Sequence, residues 1–248
     1  MRRFAIAALA LTLAAACDGG STPRQKASTR SFPAALSAAP YKPLIDPSRF
    51  STTIDNPYFP LSPGTVLTFK GTSEGEQEVD IVTVTRRTKT ILGVTCVVVR
   101  DEVKVSGETT ELTFDWYAQD RDGNVWYFGE DSREMENGKI VSREGSWEAG
   151  RDGAQPGVIM PATRTVGLAY RQEYDRGTAE DQAKIVSVSE TVSVSYGSFE
   201  RVVVTEDTSR LDPKIVERKY YAAGIGEVFE KNVKGPQETL ELVSSARR

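Results

Sequence analysis

The sequence predicts an all-β protein whose core is a curved antiparallel sheet. Three observations lead to this fold class. Segments rich in Val, Ile, Thr and aromatic residues alternate with polar residues at a period of two, which is typical of strands. Gly, Asn, Asp and Pro fall between these segments, where turns are expected. The two halves of the β region also resemble each other, which indicates two diverged copies of one unit.

The strands follow one another from the middle of the first hundred residues onward. No long stretch keeps a helical period, so we expect few or no helices. Eight segments carry the strand pattern most clearly: residues 79–85, 94–99, 111–117, 124–128, 184–189, 190–196, 201–205 and 215–221.

An internal repeat becomes visible when the sequence is shifted by 104 residues. The shift places Gly93 on Gly197 and Trp116 on Tyr220, together with several valines. Each copy spans about 65 residues, and a sheet of that size cannot bury its apolar face alone. We therefore expect one domain in which the copies join or pack together. Its predicted boundaries are 46–248 for the domain, 64–131 for copy one, 132–166 for a linker loop, 167–233 for copy two and 237–243 for a terminal strand.

The N-terminus has the features of a secretory signal peptide. Arg2 and Arg3 precede an uncharged run, residues 4–16, that is too short to span a bilayer as a stable helix and ends in small residues. Residues 13–17 read Leu-Ala-Ala-Ala-Cys and resemble the lipobox of bacterial lipoproteins. The resemblance implies cleavage after residue 16, a diacylglycerol on Cys17 and a further acyl chain, such as palmitate, on the new N-terminus.

Residues 17–45 are rich in Gly, Ser, Thr, Pro and Ala, and we predict that they form a flexible tether between the lipid and the domain. Several acyl chains on one residue anchor a protein stably, because each buried CH₂ contributes about 0.8 kcal/mol. The expected location is the bacterial cell envelope, with the domain anchored to a membrane and facing the periplasm or the exterior.

The composition excludes several classes of chemistry. The chain has no histidine, which removes Ser-His-Asp and Cys-His catalysis and the histidine-based metal sites. The net charge is −4 and no basic patch stands out, so nucleic acid is not an expected partner. The sequence offers no catalytic constellation, so we assign no catalytic residue, expect no enzymatic activity and predict no cofactor apart from the calcium alternative below.

Residues 218–232, which follow the Gly-Ser-Phe-Glu-Arg-Val-Val-Val segment at 197–204, resemble an ending shared by many bacterial envelope lipoproteins. In several of these, such as the LolA, LolB and LppX groups, a curved antiparallel sheet forms an incomplete barrel. The resemblance implies a hollow apolar face that holds acyl chains. The region from residue 115 to residue 161 is similar to one uncharacterised bacterial family.

Four residues are candidates for contact with an apolar ligand. Phe114 and Trp116 lie on a predicted strand, and Trp147 and Met160 lie in the Gly-rich segment between the copies, which is too long for a simple turn. Two interpretations of this segment stay open: it is an ordinary crossover packed at the sheet edge, or Trp147 or Met160 covers part of a space between the copies. Its walls would include Leu112, Phe114, Val202 and Ile215.

The most acidic stretch, residues 115–131, leaves three interpretations open. Asp122-Gly123 is typical of a tight hairpin turn. Asp120, Asp122 and Asn124 are also spaced like ligands of short calcium loops, and calcium prefers carboxylate oxygens. A pair of catalytic carboxylates is the third interpretation. Asp115 lies inside a strand between two aromatic residues, and we expect it to face solvent.

The sequence therefore favours a non-catalytic, membrane-anchored envelope lipoprotein that binds a lipid, another apolar ligand or a partner protein on a curved β-sheet. The alternative is a carboxylate-dependent enzyme or a calcium-binding module that acts on envelope glycans.

Overall fold

The computed structural model describes residues 41–73 and 75–248. Within them the chain forms one sheet of 17 strands, and a short 3-10 helix at Pro47–Arg49 precedes the first strand. In this part of the chain, no helix has the length and apolarity needed to cross a membrane. The predicted signal peptide, Cys17 and the predicted tether up to residue 40 lie outside the described residues.

Among the first nine strands, β1 precedes the predicted copy one, β2 to β6 lie within it, and β7 to β9 lie in the segment after it. Their bounds are β1 Phe50–Ser51, β2 Thr65–Ser73, β3 Glu76–Ile91, β4 Val94–Val105, β5 Glu108–Asp120, β6 Val125–Asp131, β7 Glu134–Glu136, β8 Lys139–Ser142 and β9 Trp147–Glu148. The remaining strands are β10 Gln155–Met160, β11 Ala169–Arg171, β12 Glu173–Tyr174, β13 Asp181–Val194, β14 Gly197–Ser209, β15 Val216–Ala222, β16 Gly226–Lys234 and β17 Thr239–Arg247.

Long neighbouring strands pair antiparallel in the order β13-β14-β15-β16-β17-β2-β3-β4-β5-β6. Beyond β6 the sheet continues through β10 to β12, while β11 pairs with β13 at the opposite end. The sheet thus curls until it is nearly closed into a barrel, with one seam left unsealed. This confirms the predicted fold class, an all-β, curved antiparallel sheet that forms an incomplete barrel.

The C-terminal strand joins the two parts of the sheet. β17 pairs with β2 over most of its length, from Thr239 opposite Thr72 to Arg247 opposite Thr65. Gly71 permits this close approach, because a Cβ atom there would lie 1.8 Å from the carbonyl oxygen of Thr239. A residue larger than glycine at position 71 would therefore push β17 away.

Two segments differ from the sequence-based expectation in detail. Residues 184–189 and 190–196, which the pattern suggested as two strands, belong mainly to the single strand β13, Asp181–Val194, whose pairing with β14 contains several bulges. The segment 132–166, expected as a linker loop, contains the short strands β7 to β10. The internal repeat and the domain boundaries remain predictions.

Two clusters of buried apolar side chains support the sheet. The larger contains Trp116, Tyr127, Phe128, Trp147 and Met160, with many valines of β4 around them. The smaller is built on β2, β14, β16 and β17, and includes Phe69, Val202, Val228, Leu240 and Leu242. Side chains on both faces of the sheet are buried, so a polar residue inside a strand is not automatically exposed.

Candidate functional site: a cavity inside the sheet

The curled sheet encloses a partly open cavity of about 120 Å³, which we call the sheet cavity. One part of its wall is apolar and is formed by Phe59, Pro60, Leu61, Leu67, Phe69, Val82, Val99, Ile159, Ile225 and Leu240. The other part is polar and is formed by Asp80, Asp101, Asp115, Tyr117, Lys219, Tyr221, Glu227 and Glu230, with Gly226 between them. The sheet cavity is therefore amphipathic.

Strand alternation explains how the polar wall arises. Successive side chains on a strand point to opposite faces, so Asp115 and Tyr117 share the inner face of β5, while Phe114 and Trp116 point to the other face. On β15 the same alternation brings Lys219 and Tyr221 inward. The charged residues are thus integral to the strands and are not carried by surface loops.

Asp115 corrects a sequence-based expectation. We expected this residue to face solvent, but it is 2% exposed and lines the sheet cavity. The physical reason is the curvature of the sheet, which turns the polar face of β5 inward. Burial, reinforced by the nearby charge of Asp101, raises the pKa of the Asp115 carboxyl.

Asp115 belongs to a buried group of three oxygen-bearing side chains. The hydroxyl of Tyr127 donates to Asp115 Oδ1 at 2.7 Å, and it also lies 3.0 Å from Glu130 Oε2. Asp115 and Glu130 are directly opposite each other on β5 and β6. Because the hydroxyl has a single proton, both short contacts are hydrogen bonds only when one carboxyl is protonated and donates to the tyrosine oxygen. Since burial also raises the pKa of Asp115, we infer that this group holds a proton at the edge of the sheet cavity.

Lys219 occupies the corresponding place on β15 and forms a different arrangement. Its ammonium lies 3.3 Å from Glu230 Oε2 and 3.7 Å from Glu217 Oε2, and all three residues are buried. Burial by itself lowers the pKa of Lys219, but the charges of Glu230 and Glu217 outweigh burial, so the pKa is well above its usual range. Lys219 is therefore a permanent cation whose charge is already neutralised.

Glu227 is an acid of the sheet cavity whose pKa is raised into the neutral range. Burial, together with the charge of Glu230, raises its pKa to about 8, although the ammonium of Lys219 acts in the opposite direction. Glu227 also shares a hydrogen bond with Glu230. At neutral pH this carboxyl is therefore protonated in most molecules, and it is able to donate a proton.

A second polar layer lies toward the seam of the sheet. Gln172 donates through Nε2 to Asp207 Oδ2 at 2.9 Å, and Trp147 donates through Nε1 to Glu173 Oε2 at 3.1 Å. Burial also raises the pKa of Asp207. These contacts satisfy polar groups of β9, β12 and β14 where the sheet curls back on itself.

The side-chain oxygens of the predicted calcium ligands already have partners within the protein. Asp120 Oδ1 accepts from the backbone N–H groups of Asp122 and Asn124, and Asp120 Oδ2 accepts from the side chains of Asn124 and Trp126. Asp122 pairs with Arg49, and Asn124 Oδ1 accepts from the backbone N–H of Ala162. In the described part of the chain, no group of three or more Asp, Glu or Cys residues is arranged to hold a metal ion. Calcium binding here stays a prediction that would require these donors to be displaced.

The predicted ligand-contacting residues lie close to the sheet cavity but do not form its wall. Trp147 and Met160 are buried in the larger core cluster, and Trp147 packs edge to face on Tyr127 with a centroid distance of 5.4 Å. Phe114 and Trp116 lie on the opposite face of β5, where Arg133 and Lys89 stack on their rings. Their role in ligand binding stays a prediction.

Sequence reasoning missed the charged residues that line the sheet cavity, namely Asp80, Asp101, Lys219, Glu227 and Glu230. A signal was present, because Asp115 stands two positions before Tyr117 and Lys219 stands two positions before Tyr221. A charge that shares its strand face with a large aromatic residue is a candidate for burial.

No known protein family and no curated protein matches the sequence. Two solved structures are similar in fold. One is a protein from Bacteroides fragilis described as exported and as having a YmcC-like fold, with a TM-score of 0.46, 15% identity, and coverage of 77% of this chain and 99% of that chain. The other is a Parabacteroides distasonis protein described as a lipoprotein, with a TM-score of 0.42, 13% identity, and coverage of 76% and 98%. At this distance neither likeness carries an argument about function.

Proposed function

We propose that this chain is a non-catalytic bacterial envelope lipoprotein that binds a small, largely apolar ligand in the sheet cavity. One observation carries the binding part of this proposal, the partly open cavity of about 120 Å³ inside the sheet, whose wall includes ten apolar residues. The lipobox at Cys17 supports the anchoring part.

The size of the sheet cavity limits the ligand. One water needs about 10–15 Å³ of such space, and an apolar cavity of about 150 Å³ in another protein holds a benzene ring. The sheet cavity, at about 120 Å³, therefore accommodates one ring or a short chain segment. Each CH₂ group removed from water contributes about 0.8 kcal/mol, so a short chain is sufficient for weak but measurable binding.

A neutral probe with a single ring tests the binding proposal, because the sheet cavity accommodates one ring. The described domain is titrated with fluorobenzene, which is uncharged, and we expect a saturable change in its ¹⁹F NMR signal. Ile225 lines the sheet cavity, so Ile225→Trp should fill it and weaken probe binding about tenfold or more. Ile140→Trp is the matched control, because Ile140 is exposed and lies outside the wall. Absence of saturable binding, or equal loss in both variants, would refute the proposal.

The anchor has its own test. Cys17→Ser should release the mature protein from the membrane fraction or leave an uncleaved precursor, because the lipid has no thiol to attach to. A Cys17→Ser protein that is processed and still bound to membranes would exclude lipidation at this residue.

One observation favours the enzymatic alternative. Glu227, with its pKa near 8, is able to act as a general acid at neutral pH, and Glu230 and Asp101 are carboxylates in the same wall. If the protein cleaves envelope glycans, purified peptidoglycan incubated with it should yield soluble fragments, and Glu227→Gln should abolish their formation. No fragments are expected if the protein only binds a ligand.

A further inference from the structure

The hairpin formed by β13 and β14 extends beyond the strand beside it. β14 pairs with β15 only from Val203 to Asp207, so the outer part of the hairpin at 190–202, which we call the flap, is not paired with β15. Within the flap, β13 and β14 pair with each other as far as Val194 and Gly197. The flap is therefore a two-stranded ribbon that continues past the paired part of β15.

The flap has an apolar face and a polar face. Val192 and Val194 stand two positions apart on β13, and Phe199 lies directly opposite Val192, so the three side chains share one face. All three pack on the smaller core cluster. Ser193 and Ser198 lie on the other face, where their hydroxyl oxygens are exposed and 2.8 Å apart. The flap thus covers the smaller core cluster with its apolar face and presents serines to solvent.

The surface under the flap is continuous with the sheet cavity. Five residues of the apolar cavity wall either belong to the smaller core cluster or pack against it, namely Leu67, Phe69, Val82, Ile225 and Leu240. An apolar ligand in the sheet cavity therefore lies next to the surface that the flap covers. Lifting the flap would extend the apolar wall without rearranging the rest of the sheet.

Irregular pairing separates the flap from the rest of its hairpin. The register between β13 and β14 shifts three times between Ile185 and Val192. Arg201 also adopts a φ of 54°, in the left-handed region that is unfavourable for a residue with a side chain. Bulges bend a strand and interrupt its hydrogen-bond ladder. The hairpin is therefore able to bend here more easily than where its pairing is regular.

Polar contacts at the turn of the flap, which we call the latch, hold it to β17. The backbone N–H of Tyr196 donates to the carbonyl oxygen of Leu242 at 3.1 Å. Ser195 donates to Glu241 through its backbone N–H and its hydroxyl, at 3.2 and 2.7 Å, and both contacts are exposed to solvent. Water replaces exposed hydrogen bonds at little net cost, so the latch opens more easily than the paired strands of the sheet.

We propose that the flap is a gate of the sheet cavity, which bends at the irregular pairing and lifts from β17 so that an apolar ligand longer than the closed cavity extends beneath it. This inference rests on the proposed function, since it concerns how a ligand enters the same cavity. The closed cavity of about 120 Å³ accommodates one ring, so a single ring binds without opening of the flap. An extended eight-carbon chain is longer than this space and requires the flap to open.

A reversible cross-link tests the gate. Ser195→Cys and Glu241→Cys are combined in the described domain and joined by a short bis-methanethiosulfonate reagent, which dithiothreitol removes. Cys96, the other thiol of this domain, is 0% exposed and is protected from the reagent. Fluorobenzene binding is followed by its ¹⁹F signal, and octan-1-ol is added as a competitor.

The cross-link should leave fluorobenzene binding within about twofold and weaken competition by octan-1-ol about tenfold or more. Each CH₂ group that is left in water lowers affinity about fourfold, so exclusion of two such groups is sufficient. Dithiothreitol should restore competition. Equal competition before and after dithiothreitol, or no competition in the wild type, would overturn the gate while the proposed function stands. If fluorobenzene does not bind the wild type, the proposed function is wrong and the gate falls with it.

The matched control joins the flap to itself. Ser193→Cys and Ser198→Cys replace residues that are directly opposite each other on β13 and β14, so the same reagent cross-links them without joining the flap to β17. Octan-1-ol should compete in this protein as it does in the wild type. An equal loss of competition in both cross-linked proteins would contradict the gate, because only one of them is held closed.

Hydrogen exchange tests the opening without any ligand. The amide of Tyr196 should exchange at least about tenfold faster than the amide of Ile185, which donates to the carbonyl oxygen of Leu168 at 2.9 Å within the main sheet. The cross-link between positions 195 and 241 should slow exchange at Tyr196 about tenfold or more. This wild-type comparison decides the matter if the double-cysteine variant does not fold. Equal exchange rates at Tyr196 and Ile185 would show that the flap opens only with the whole sheet, which would overturn the gate.

Discussion

Two hairpins of the sheet, β5–β6 and β15–β16, place charged residues at matching positions inside the sheet and neutralise them in different ways. In the first, Asp115 lies opposite Glu130, and Tyr117 follows two positions later. In the second, Lys219 lies opposite Glu230, and Tyr221 follows two positions later. The backbone arrangement is shared, but an acid in one hairpin stands where a base stands in the other.

The difference shows two solutions to the same physical problem. A buried carboxylate needs either a proton or a counter-charge. In the first hairpin the hydroxyl of Tyr127 lies within hydrogen-bond distance of two acids, and we infer that the three groups share a proton. In the second hairpin Lys219 supplies the counter-charge to Glu230 and Glu217. We infer that the first hairpin is the more sensitive to pH and the second the more sensitive to removal of a single charge.

The largest loss of stability is expected when the buried base, Lys219, is removed. Lys219→Met leaves two buried carboxylates without a counter-charge and should destabilise the fold by about 3–5 kcal/mol. For a chain of this size, that lowers the melting temperature by about 6–20 °C. Lys214→Met, at an exposed position, is the control and should have little effect. A shift below about 2 °C for Lys219→Met would contradict the ion-pair interpretation of the second hairpin.

The second-largest loss of stability is expected from a tyrosine of the first hairpin, and the matching change in the second hairpin should cost less. Tyr127→Phe removes the hydroxyl between Asp115 and Glu130 and should destabilise the fold by about 1–3 kcal/mol, since it removes a hydrogen-bond partner of two buried carboxyl groups. Tyr221→Phe, in the second hairpin, should be less costly because the ion pair does not depend on it. Urea unfolding of both variants measures the difference, and equal losses would count against the shared-proton arrangement.

A pH series tests Glu227, which faces Lys219, Glu230 and Asp207. Its pKa in the folded state is about 8 and therefore lies above the ordinary value of 4.5 for a glutamate. The protonated form stabilises the fold fully below about pH 4.5, and this contribution is lost as the pH rises through 8. Glu227→Gln cannot titrate, so the wild type should lose at least about 1 kcal/mol relative to this variant between pH 5 and pH 9. Parallel stability curves for the two proteins would refute the raised pKa.

The smallest change in stability is expected when calcium is added, because its predicted ligands lie at the turn of the first hairpin. Calcium should leave the melting temperature unchanged, because the oxygens of Asp120, Asp122 and Asn124 already accept hydrogen bonds or pair with Arg49. A site present at one hundred times its dissociation constant would add about 2.7 kcal/mol, which is readily measured. A calcium-dependent increase that Asp122→Ala abolishes would show that the hairpin is a metal site.

The local pattern was sufficient to predict much of this architecture. The alternation of apolar and polar residues predicted the major strands. The pair Asp122-Gly123 predicted the hairpin turn, and Gly123 adopts a φ of 89° there. The missed strands, β7 to β10, are short and lie in a Gly-rich segment whose periodicity is weak. Three of them, β7, β9 and β10, are held by pairing with β5, β6 or β12, and such long-range partners leave no local pattern. The fourth, β8, pairs with its neighbour β7.

The sequence by itself determined where apolar and polar residues alternate, where turns separate the strands, and that the strands form an antiparallel sheet. These properties depend on residues that are only a few positions apart. It also predicts a signal peptide and a lipobox that ends at Cys17, and both stay predictions. Only the tertiary structure decided that Asp115 and Lys219 are buried, because alternation divides a strand into two faces without specifying which one turns inward. The inward face is set by the curvature of the sheet, in which β17 pairs with β2. This curvature places acids from β3, β4, β5 and β16 around one cavity.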